Sequence, residues 1–285
     1  MKHLVVGGSG QVGSALIDAL VRREQTVVGT YLSHPVVGQV PLDMRQSDAI
    51  RKIVQEIQPD VIWVPGALPD VDRCEVDTDL SEAVNVRGPI ALGDLAASRE
   101  IPLVYFSSDY VFDGENGPYR ETDPTHPIQV YGQHKVKAEE ALLQYENTLV
   151  IRPAWIYSQE PNPRNFVYRI ASELQKGHTV KAADDQYNTP TPSTGLAVRA
   201  VDAWLGGYRG ILHLVGPERL SRLELVARIA QILGYDHPNI EVVHVGDLAL
   251  PAKRPLNGGL ITNASQFAID ERLEDLDFRQ ILTGH

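Results

Sequence analysis

The chain has 285 residues, of which 43% are hydrophobic and 22% are charged, and its formal net charge at pH 7 is −11. Such an acidic surface repels nucleic acid and anionic membranes, so a phosphorylated ligand must be held by local amides and a few local cations. Cys74 is the only cysteine, which excludes an intramolecular disulfide, and we predict that it is a packing residue. The early strand and the absence of a membrane-length apolar run predict a cytoplasmic protein.

The first predicted strand contains Leu4, Val5 and Val6. Glycines follow it at positions 7, 10 and 13, and a helix-forming segment comes next. This order is typical of dinucleotide binding, with Gly7 permitting a tight turn and Gly13 allowing close packing of the helix. Gly10 would let backbone amides approach a pyrophosphate at the helix N-terminus. The alternative is a plain glycine-rich turn in another α/β protein.

The second predicted strand, Thr26–Tyr31, bears on the choice of cofactor. NAD-specific proteins tend to carry an acidic residue at its end, where it binds the ribose hydroxyls, and here Thr30 and Tyr31 occupy that place. Without a carboxylate, a 2′-phosphate is not repelled, and Ser33 and His34 could contribute to holding it. We therefore predict NADPH as the cofactor, with NAD as the alternative.

Strand and helix signals alternate through the first half of the chain. This rhythm predicts an α/β fold with a Rossmann-type, doubly wound parallel sheet and right-handed crossovers. The predicted helices cover Ser47–Ile57, Leu80–Ser98 and a segment from Tyr131 to about Tyr145, and the predicted strands cover Val61–Val64, Pro102–Phe106 and Thr148–Ile151.

After about residue 153 the rhythm loosens, and prolines such as Pro161 and Pro163 indicate substrate-facing loops. We predict helices over Asn165–Gln175 and Arg222–Leu233, and strands over Ile211–Leu214 and Val242–Val243. The predicted organisation is a dinucleotide-binding domain over residues 1–155 and a smaller C-terminal substrate lobe over residues 156–285. Part of that lobe is expected to return to the sheet.

Tyr131 and Lys135 are four positions apart, so in a helix their side chains project from one face. A lysine ammonium at that distance favours the phenolate and lowers the pKa of the tyrosine. Ser107 and Ser108 stand at the end of a predicted strand, where ligands bind in such sheets. A serine hydroxyl there could hold a carbonyl oxygen while the tyrosine delivers a proton. The alternative for this spacing is an ordinary surface pair.

With these motifs in order, the chain resembles the extended short-chain dehydrogenase/reductases and, more narrowly, the dTDP-4-dehydrorhamnose reductase family. Four stretches carry the resemblance: Gly7–Gly13; Val71–Glu75 with Asn85–Val86; Ser107–Gly114 leading to Pro118–Tyr119, Glu121 and Tyr131–Lys135; and Asp185–Gln186 with Pro190–Thr191. The resemblance implies NADPH-dependent reduction of a 4-keto-6-deoxy sugar nucleotide, as in dTDP-rhamnose biosynthesis.

The resemblance also implies roles for individual residues. Tyr131 would protonate the developing alkoxide, Lys135 would lower the Tyr131 pKa and hold the nicotinamide ribose, and Ser108 would bond the carbonyl oxygen. Asn85 would support a water beside the Lys135 amine or serve in packing. The implied cofactor contacts are Gly7, Ser9, Gly10, Gln11, Val12, Thr30, Asp43, Met44, Gly66, Ala67, Tyr131 and Lys135, and the implied substrate contacts are Ser108, Asp109, Tyr110, Trp155 and Asn165.

The chain departs from the family pattern at several positions. His134 stands where the family usually has serine, Pro65–Ala67 replace Asn-Ala-Ala, and Asn188 replaces a frequent glycine near the substrate loop. Ala15 replaces a glutamate that some members use in a magnesium-bridged dimer, so we predict no metal. The single histidines have no partner at ligand spacing and are interpreted as surface or packing residues: His126, His134, His178 and His213.

Two interpretations compete with a reductase. One is a non-catalytic nucleotide-binding regulatory subunit resembling the β subunit of methionine adenosyltransferase. The other is a sugar-nucleotide epimerase or dehydratase that recycles its nicotinamide. For the reductase, the predicted partners are a nucleotide-sugar substrate and, as an assembly, a second copy in a homodimer.

Overall fold

The structure is a computed structural model that describes residues 1–158 and 165–277. Its strands are β1 (Lys2–Val5), β2 (Thr26–Tyr31), β3 (Val40–Pro41), β4 (Val61–Val64), β5 (Leu103–Phe106), β6 (Thr148–Arg152), β7 (Ile156–Tyr157), β8 (Val180–Ala183), β9 (Tyr187–Asn188), β10 (Thr191–Pro192), β11 (Gly210–His213), β12 (Leu220–Ser221) and β13 (Ile240–Val243). Its α-helices are α1 (Gln11–Val21), α2 (Ser47–Ile57), α3 (Val71–Val76), α4 (Thr78–Glu82), α5 (Gly88–Ser98), α6 (Val130–Leu142), α7 (Phe166–Gln175), α8 (Ser193–Leu205) and α9 (Arg222–Ile232).

Seven strands form one sheet in the order β11-β6-β5-β4-β1-β2-β3. All neighbouring strands in it run parallel. The chain moves outward from β1 first in one direction and then, from β4, in the other, so the topology switches between these two strands. This confirms the predicted doubly wound Rossmann-type fold, and it places the carboxyl ends of all seven strands along one edge, where ligands bind in such sheets.

The sheet is covered on both faces. Strands β4, β5 and β6 are buried along their whole length, because parallel strands with helices on each side read as continuous apolar runs. On one face, Leu16 of α1 and Leu196 of α8 belong to one apolar core. On the other face, Ile50 of α2 and Leu142 of α6 belong to a second core.

Several predicted elements match the structure. The helix Ser47–Ile57 and the strand Val61–Val64 have the predicted bounds. The helix predicted over Leu80–Ser98 is helical throughout but contains a π-helical turn at Ala83–Arg87, between α4 and α5. The helix that carries Tyr131 ends at Leu142, before the predicted end.

The second half of the chain differs more from expectation. Helix α8 was not predicted; it packs on α1 with buried Leu196 and Ala200. Strand β11 pairs with β6 at the edge of the sheet. The division at residue 155 stays a prediction, and Pro161 and Pro163 lie outside the described residues.

No helix among the described residues has the length and the apolar composition needed to cross a membrane.

One face of α6 is buried and carries three functional groups in succession. Tyr131, Lys135 and Glu139 are spaced by four residues, and all three are buried. The Glu139 carboxylate accepts from Arg152 at the end of β6, with distances of 2.9 Å from Nε and 2.6 Å from Nη2. Both side chains are only 3% exposed. This ion pair therefore ties α6 to the sheet.

We expect Glu139→Leu to lower the free energy of unfolding by about 3–5 kcal/mol, because it leaves the Arg152 charge buried and unpaired. Glu139→Leu combined with Arg152→Met should be more stable than the single variant, since no charge remains buried. Urea unfolding checks both expectations. As a control, Glu56→Leu in the exposed pair with Lys52 should cost less than about 1 kcal/mol. A single variant as stable as the parent would contradict this account.

Candidate active site

The glycine turn after β1 has a shape that side chains would prevent. Gly7 has φ +88°, and a Cβ there would lie 2.6 Å from the Cα of Gly66 in the loop after β4. A Cβ on Gly13 would lie 2.1 Å from the Gly7 carbonyl oxygen, so the start of α1 can pack on the turn only as glycine. Both glycines thus have the geometric reason that the spacing predicts.

The N-terminus of α1 is built to accept an anion. Gly10 precedes the helix without a side-chain cap, and the first turn holds no acidic residue. The first backbone N–H groups of a helix have no partner inside it, and the helix dipole favours negative charge there. Ser9, Gln11 and Val12 belong to this segment, and the Gln11 side chain donates to Ser158 at 3.0 Å. The segment fits a pyrophosphate.

The predicted cofactor contacts Thr30, Asp43 and Met44 each have a neighbour within the protein. The Thr30 hydroxyl is buried and accepts from the Gly7 N–H at 3.0 Å, so it shapes the glycine turn. The Asp43 carboxylate is held by the Arg45 guanidinium, whose hydrogen bonds keep the Asp43 pKa below its usual range. Met44 packs on Gly66, where an added Cβ would lie 2.9 Å from the Met44 methyl group. Gly66 therefore lies directly between the glycine turn and Met44, and Ala67 follows it in the chain.

The structure brings Ser108, Tyr131 and Lys135 together at the carboxyl end of β5. Lys135 is 1% exposed, and its Nζ donates to the Phe106 carbonyl oxygen at 2.9 Å and lies 5.7 Å from the centre of the Tyr131 ring. The Ser108 hydroxyl is close enough to Tyr131 to favour its ionised form. A phenol, an amine and a hydroxyl thus share one buried site.

A close helix approach makes this site possible, and sequence reasoning missed it. A Cβ on Gly132 would lie 2.0 Å from the carbonyl oxygen of Tyr110, so α6 reaches the loop after β5 only because this residue is glycine. The Gln129 side chain donates to the same carbonyl at 3.2 Å. The signal available in the sequence was a glycine directly after Tyr131, which has no reason to be there in an ordinary surface helix.

The predicted effect of Lys135 on Tyr131 is wrong for this structure. Burial raises the pKa of Tyr131 well above its usual value, and the negative charge of Asp109 raises it further. The Lys135 ammonium points at the Phe106 carbonyl, and burial lowers its own pKa to about 8. Tyr131 is therefore protonated at neutral pH, which is the form that a proton donor requires.

Of three further predicted substrate contacts, Tyr110 lies beside this group and Asn165 has another role. The Tyr110 ring meets the Tyr131 ring edge-on, with centroids 6.0 Å apart. Trp155 follows β6 with φ +35°, a conformation rare for a large side chain, and such strain is concentrated at functional sites. Asn165 is buried, and its side chain donates to the Ser158 carbonyl at 2.6 Å and accepts from Val167 N–H at 3.2 Å. It fixes the start of α7.

Asp109 was predicted as a substrate contact, and the structure uses its carboxylate differently. One oxygen accepts from the Ser108 hydroxyl at 3.0 Å, and the other accepts from the Asn188 side-chain amide at 2.6 Å. Asp109 is 6% exposed, and burial raises its pKa to about 6. Both oxygens are engaged by the protein, so direct substrate binding by this carboxylate is not supported.

Asn85 packs the loop after β4. Its carbonyl accepts from Leu68 N–H at 2.9 Å and its amide donates to the Leu68 carbonyl at 3.1 Å, which favours the packing alternative over a water-binding role. His134 bonds Ser81 at 2.8 Å. The Cys74 thiol donates to the same Leu68 carbonyl, and burial raises its pKa, as expected of a packing residue.

Arg222, the first residue of α9, was not recognised from the sequence. Its guanidinium carbon lies 4.2 Å from the centre of the Trp155 ring and 5.0 Å from that of Phe166. Burial lowers its pKa to about 10, and the charges of Arg169 and Arg254 lower it further. In the described part of the chain, the guanidinium forms no hydrogen bond or ion pair. It is a stacked, uncompensated cation beside a predicted substrate residue.

One cluster elsewhere has the composition of a metal site. Ligand atoms of Asp184, Asp185 and His244 lie within 4.8 Å of one another at the ends of β8 and β13. The His244 ring already lies 2.9 Å from an Asp184 oxygen, so the three groups can be neighbours through this contact alone.

Comparison with known proteins places the chain in one family. The family described as "RmlD substrate binding domain" matches residues 1–280. The chain is 32% identical over 266 residues to the probable low-salt glycan biosynthesis reductase Agl14 of Haloferax volcanii, covering 90% of this chain and 88% of that protein. It is 33% identical over 262 residues to the dTDP-4-dehydrorhamnose reductase of Streptomyces griseus, covering 89% and 83%.

A solved structure has the same fold. The crystal structure of a hypothetical dTDP-4-dehydrorhamnose reductase from Sulfolobus tokodaii is 30% identical, has a TM-score of 0.84, and covers 98% of this chain and 96% of that one. The resemblance drawn from the sequence motifs is thereby confirmed: the chain belongs to the RmlD family, which includes proteins named dTDP-4-dehydrorhamnose reductase.

Proposed function

We propose that the protein is an NADPH-dependent reductase of a 4-keto-6-deoxy sugar nucleotide, with dTDP-4-dehydrorhamnose or a close relative as its substrate. The observation that carries this proposal is the buried group of Ser108, Tyr131 and Lys135 at the carboxyl end of β5. It stands on the same sheet edge as a turn shaped for a dinucleotide. The Streptomyces griseus relative is named a dTDP-4-dehydrorhamnose reductase, and this group of side chains suits the reduction of a keto group.

The residues present fit a nicotinamide dinucleotide. The first amides of α1 would hold the pyrophosphate, Met44 and Gly66 would line the adenosine and nicotinamide sides, and Lys135 would hold the nicotinamide ribose. When bound, the nicotinamide supplies a hydride to the keto carbon. Because Thr30 and Tyr31 put no carboxylate at the end of β2, a 2′-phosphate meets no repulsion there, and NADH is admitted as an alternative.

The protein's own part in the reaction is proton transfer. The Tyr131 hydroxyl gives its proton to the oxygen of the reduced carbonyl. A protonated Tyr131 is present before the reaction because burial disfavours its charged form. The Ser108 hydroxyl holds the same sugar oxygen, so the substrate carbonyl is fixed between two hydroxyl groups.

Arg222 supplies the cation that a nucleotide diphosphate needs. The chain carries a net charge of −11, so a dianionic substrate depends on local positive groups. The Arg222 guanidinium is stacked on Trp155, and its charge acts on Tyr110, whose ring meets the Tyr131 ring edge-on. A planar, rigidly held guanidinium can bind phosphate oxygens through two parallel hydrogen bonds.

Assembly and location belong to the same proposal. A homodimer is the predicted assembly, and light scattering of the purified protein would measure it. A cytoplasmic location suits an enzyme that consumes NADPH and a sugar nucleotide.

We expect Tyr131→Phe to lower kcat by ~10²-fold or more, while NADPH binding persists, because the variant loses the proton donor but keeps the ring. NADPH absorbance during turnover measures the rate, and fluorescence titration measures cofactor binding. Tyr145→Phe is the matched control, since it removes only a hydroxyl that donates to Asp94 at 2.5 Å. Turnover by Tyr131→Phe at the parent rate would refute the assigned role.

A panel of 4-keto sugar nucleotides tests the activity itself. The proposal requires that the parent protein consume NADPH with at least one of them. If none is reduced and a protein partner binds tightly, the regulatory-subunit interpretation is correct. A protein that retains NAD through purification and leaves added NADPH unconsumed would be an epimerase or dehydratase.

Replacing Arg222 with methionine should raise the KM for the sugar nucleotide roughly 10- to 100-fold and change kcat little, since a charge-assisted contact to the diphosphate is lost while the proton donor is intact. Steady-state kinetics at saturating NADPH measure both constants. Arg99→Met, which removes an exposed arginine elsewhere, is the control. Equal KM values for Arg222→Met and the parent would exclude this contact.

A further inference from the structure

Asp109 and Asn188 form a buried pair behind the Ser108 hydroxyl. Asp109 comes from the loop after β5, and Asn188 comes from β9 in the second half of the chain. The Asn188 amide nitrogen lies 2.6 Å from one Asp109 oxygen, and both side chains are buried. A residue that follows Ser108 directly is thus held by a residue 79 positions away in the sequence.

The orientation of the Asn188 side chain is fixed by its own backbone neighbour. The N–H of Thr189 donates to the Asn188 side-chain oxygen at 2.8 Å. Since a backbone N–H can only donate, that atom must be the amide oxygen, and the NH₂ group must face Asp109. Asn188 therefore presents a donor to the Asp109 oxygen Oδ2.

This donor decides where Asp109 can carry a proton. Oδ2 already accepts from the Asn188 amide, so a proton there would face another N–H. The other oxygen, Oδ1, lies 3.0 Å from the Ser108 hydroxyl. A proton taken up by Asp109 thus resides on Oδ1, between Asp109 and Ser108.

The Ser108 hydroxyl can donate only one hydrogen bond at a time. With Asp109 ionised, Ser108 donates that proton to Oδ1 and accepts from the Tyr110 N–H at 3.2 Å. Its proton then points away from the substrate carbonyl. With Asp109 protonated, the bond reverses: Oδ1–H donates to Ser108, and the Ser108 proton is free to donate to the keto oxygen.

We propose that Asn188 is a positioning residue that acts through Asp109: it places the Asp109 proton on Oδ1 and so turns Ser108 into a donor to the substrate carbonyl. The reductive reaction is carried by the protonated form of Asp109. In this step a hydronium ion of the solvent transfers one proton to Asp109, so an O–H bond forms at Oδ1 as one O–H bond of the hydronium breaks, and the hydrogen bond between Ser108 and Asp109 reverses. The inference rests on the proposed reductase function.

The surroundings of Asp109 make this protonation accessible near neutral pH. Burial raises its pKa to about 6, while hydrogen bonds from Asn188 and Ser108 oppose that rise. The titratable groups that face it are Tyr131 of α6 and Tyr110 of the loop after β5, and both are neutral at this pH. In the described residues no lysine or arginine forms an ion pair with Asp109. Neutral Asp109 also removes a negative charge from beside the oxygen that gains charge during reduction.

The pH dependence of kcat/KM for reduction tests this device. In the parent protein the value should fall as the pH rises through about 6, the pKa of Asp109. Asp109→Asn should abolish this transition, because its amide presents a permanent donor to Ser108 and a carbonyl oxygen to Asn188. It should keep, at about pH 8, the rate that the parent shows only in acid. A parent-like transition in Asp109→Asn would overturn the proposal.

Asn188→Leu tests the positioning residue. Losing a hydrogen bond to the ionised form should move the transition up by about one pH unit or more. Thr189→Val is the matched control: it loses the hydroxyl that accepts from Leu260 at 3.2 Å but keeps the N–H that orients Asn188. Its transition should stay in place even if the fold is less stable. If the pH at which kcat/KM falls is the same in Asn188→Leu and the parent, Asn188 does not act through Asp109 and has only a structural role.

A measurement without turnover separates this inference from the proposed function. The ¹³C chemical shift of the Asp109 carboxyl carbon, assigned as the signal missing in Asp109→Asn, reports its titration directly. We expect a midpoint near 6 in the parent and a higher midpoint in Asn188→Leu. If these midpoints are observed but no sugar nucleotide is reduced, the proposed function is wrong, whereas the control of Asp109 protonation by Asn188 (the Asn188–Asp109 coupling) is supported. An Asp109 midpoint near the ordinary value of about 4 would refute the coupling.

Discussion

The ion pair between Glu139 and Arg152 is the interaction on which the site depends. Lys135 lies one turn from Glu139 on α6, and its buried ammonium is stabilised by that carboxylate. Tyr131 lies one further turn along, so the position of the phenol follows from the position of the helix. Because Arg152 ends β6, the face of α6 that carries Tyr131 and Lys135 is fixed to the sheet itself and not to a loop. Such rigid support is what a reaction needs when its groups must stay within a fraction of an ångström.

Burial governs the chemistry of this site more than neighbouring charges do. It keeps Tyr131 protonated, weakens the proton affinity of Lys135 and strengthens that of Asp109. These shifts bring an amine and a carboxyl group toward the neutral range from opposite sides. Groups whose proton affinities converge in this way are typical of sites that transfer protons, whereas exposed side chains keep their ordinary behaviour.

The sequence predicts well whatever depends on neighbours along the chain. The glycine turn, the alternation of strands and helices and the pair Tyr131/Lys135 all follow from local spacing, and the fold is as expected. Contacts between distant segments could not be predicted. Gly132 against Tyr110, Asn188 against Asp109 and Arg222 against Trp155 each join residues that no local pattern relates. The direction of the Tyr131 pKa shift failed for the same reason, since burial is decided by the complete fold.

The return of the chain to the sheet has a consequence for biosynthesis. Leu196 of α8 and Leu212 of β11 complete the apolar core that begins with Leu16 of α1. While the ribosome has made only the first 155 residues, the edge of β6 lacks its partner strand and one side of α1 lacks its cover. The nascent polypeptide must therefore wait for about sixty more residues, several seconds of translation, before its first layer can close. During that interval the open edge of β6 is a surface that a chaperone can protect.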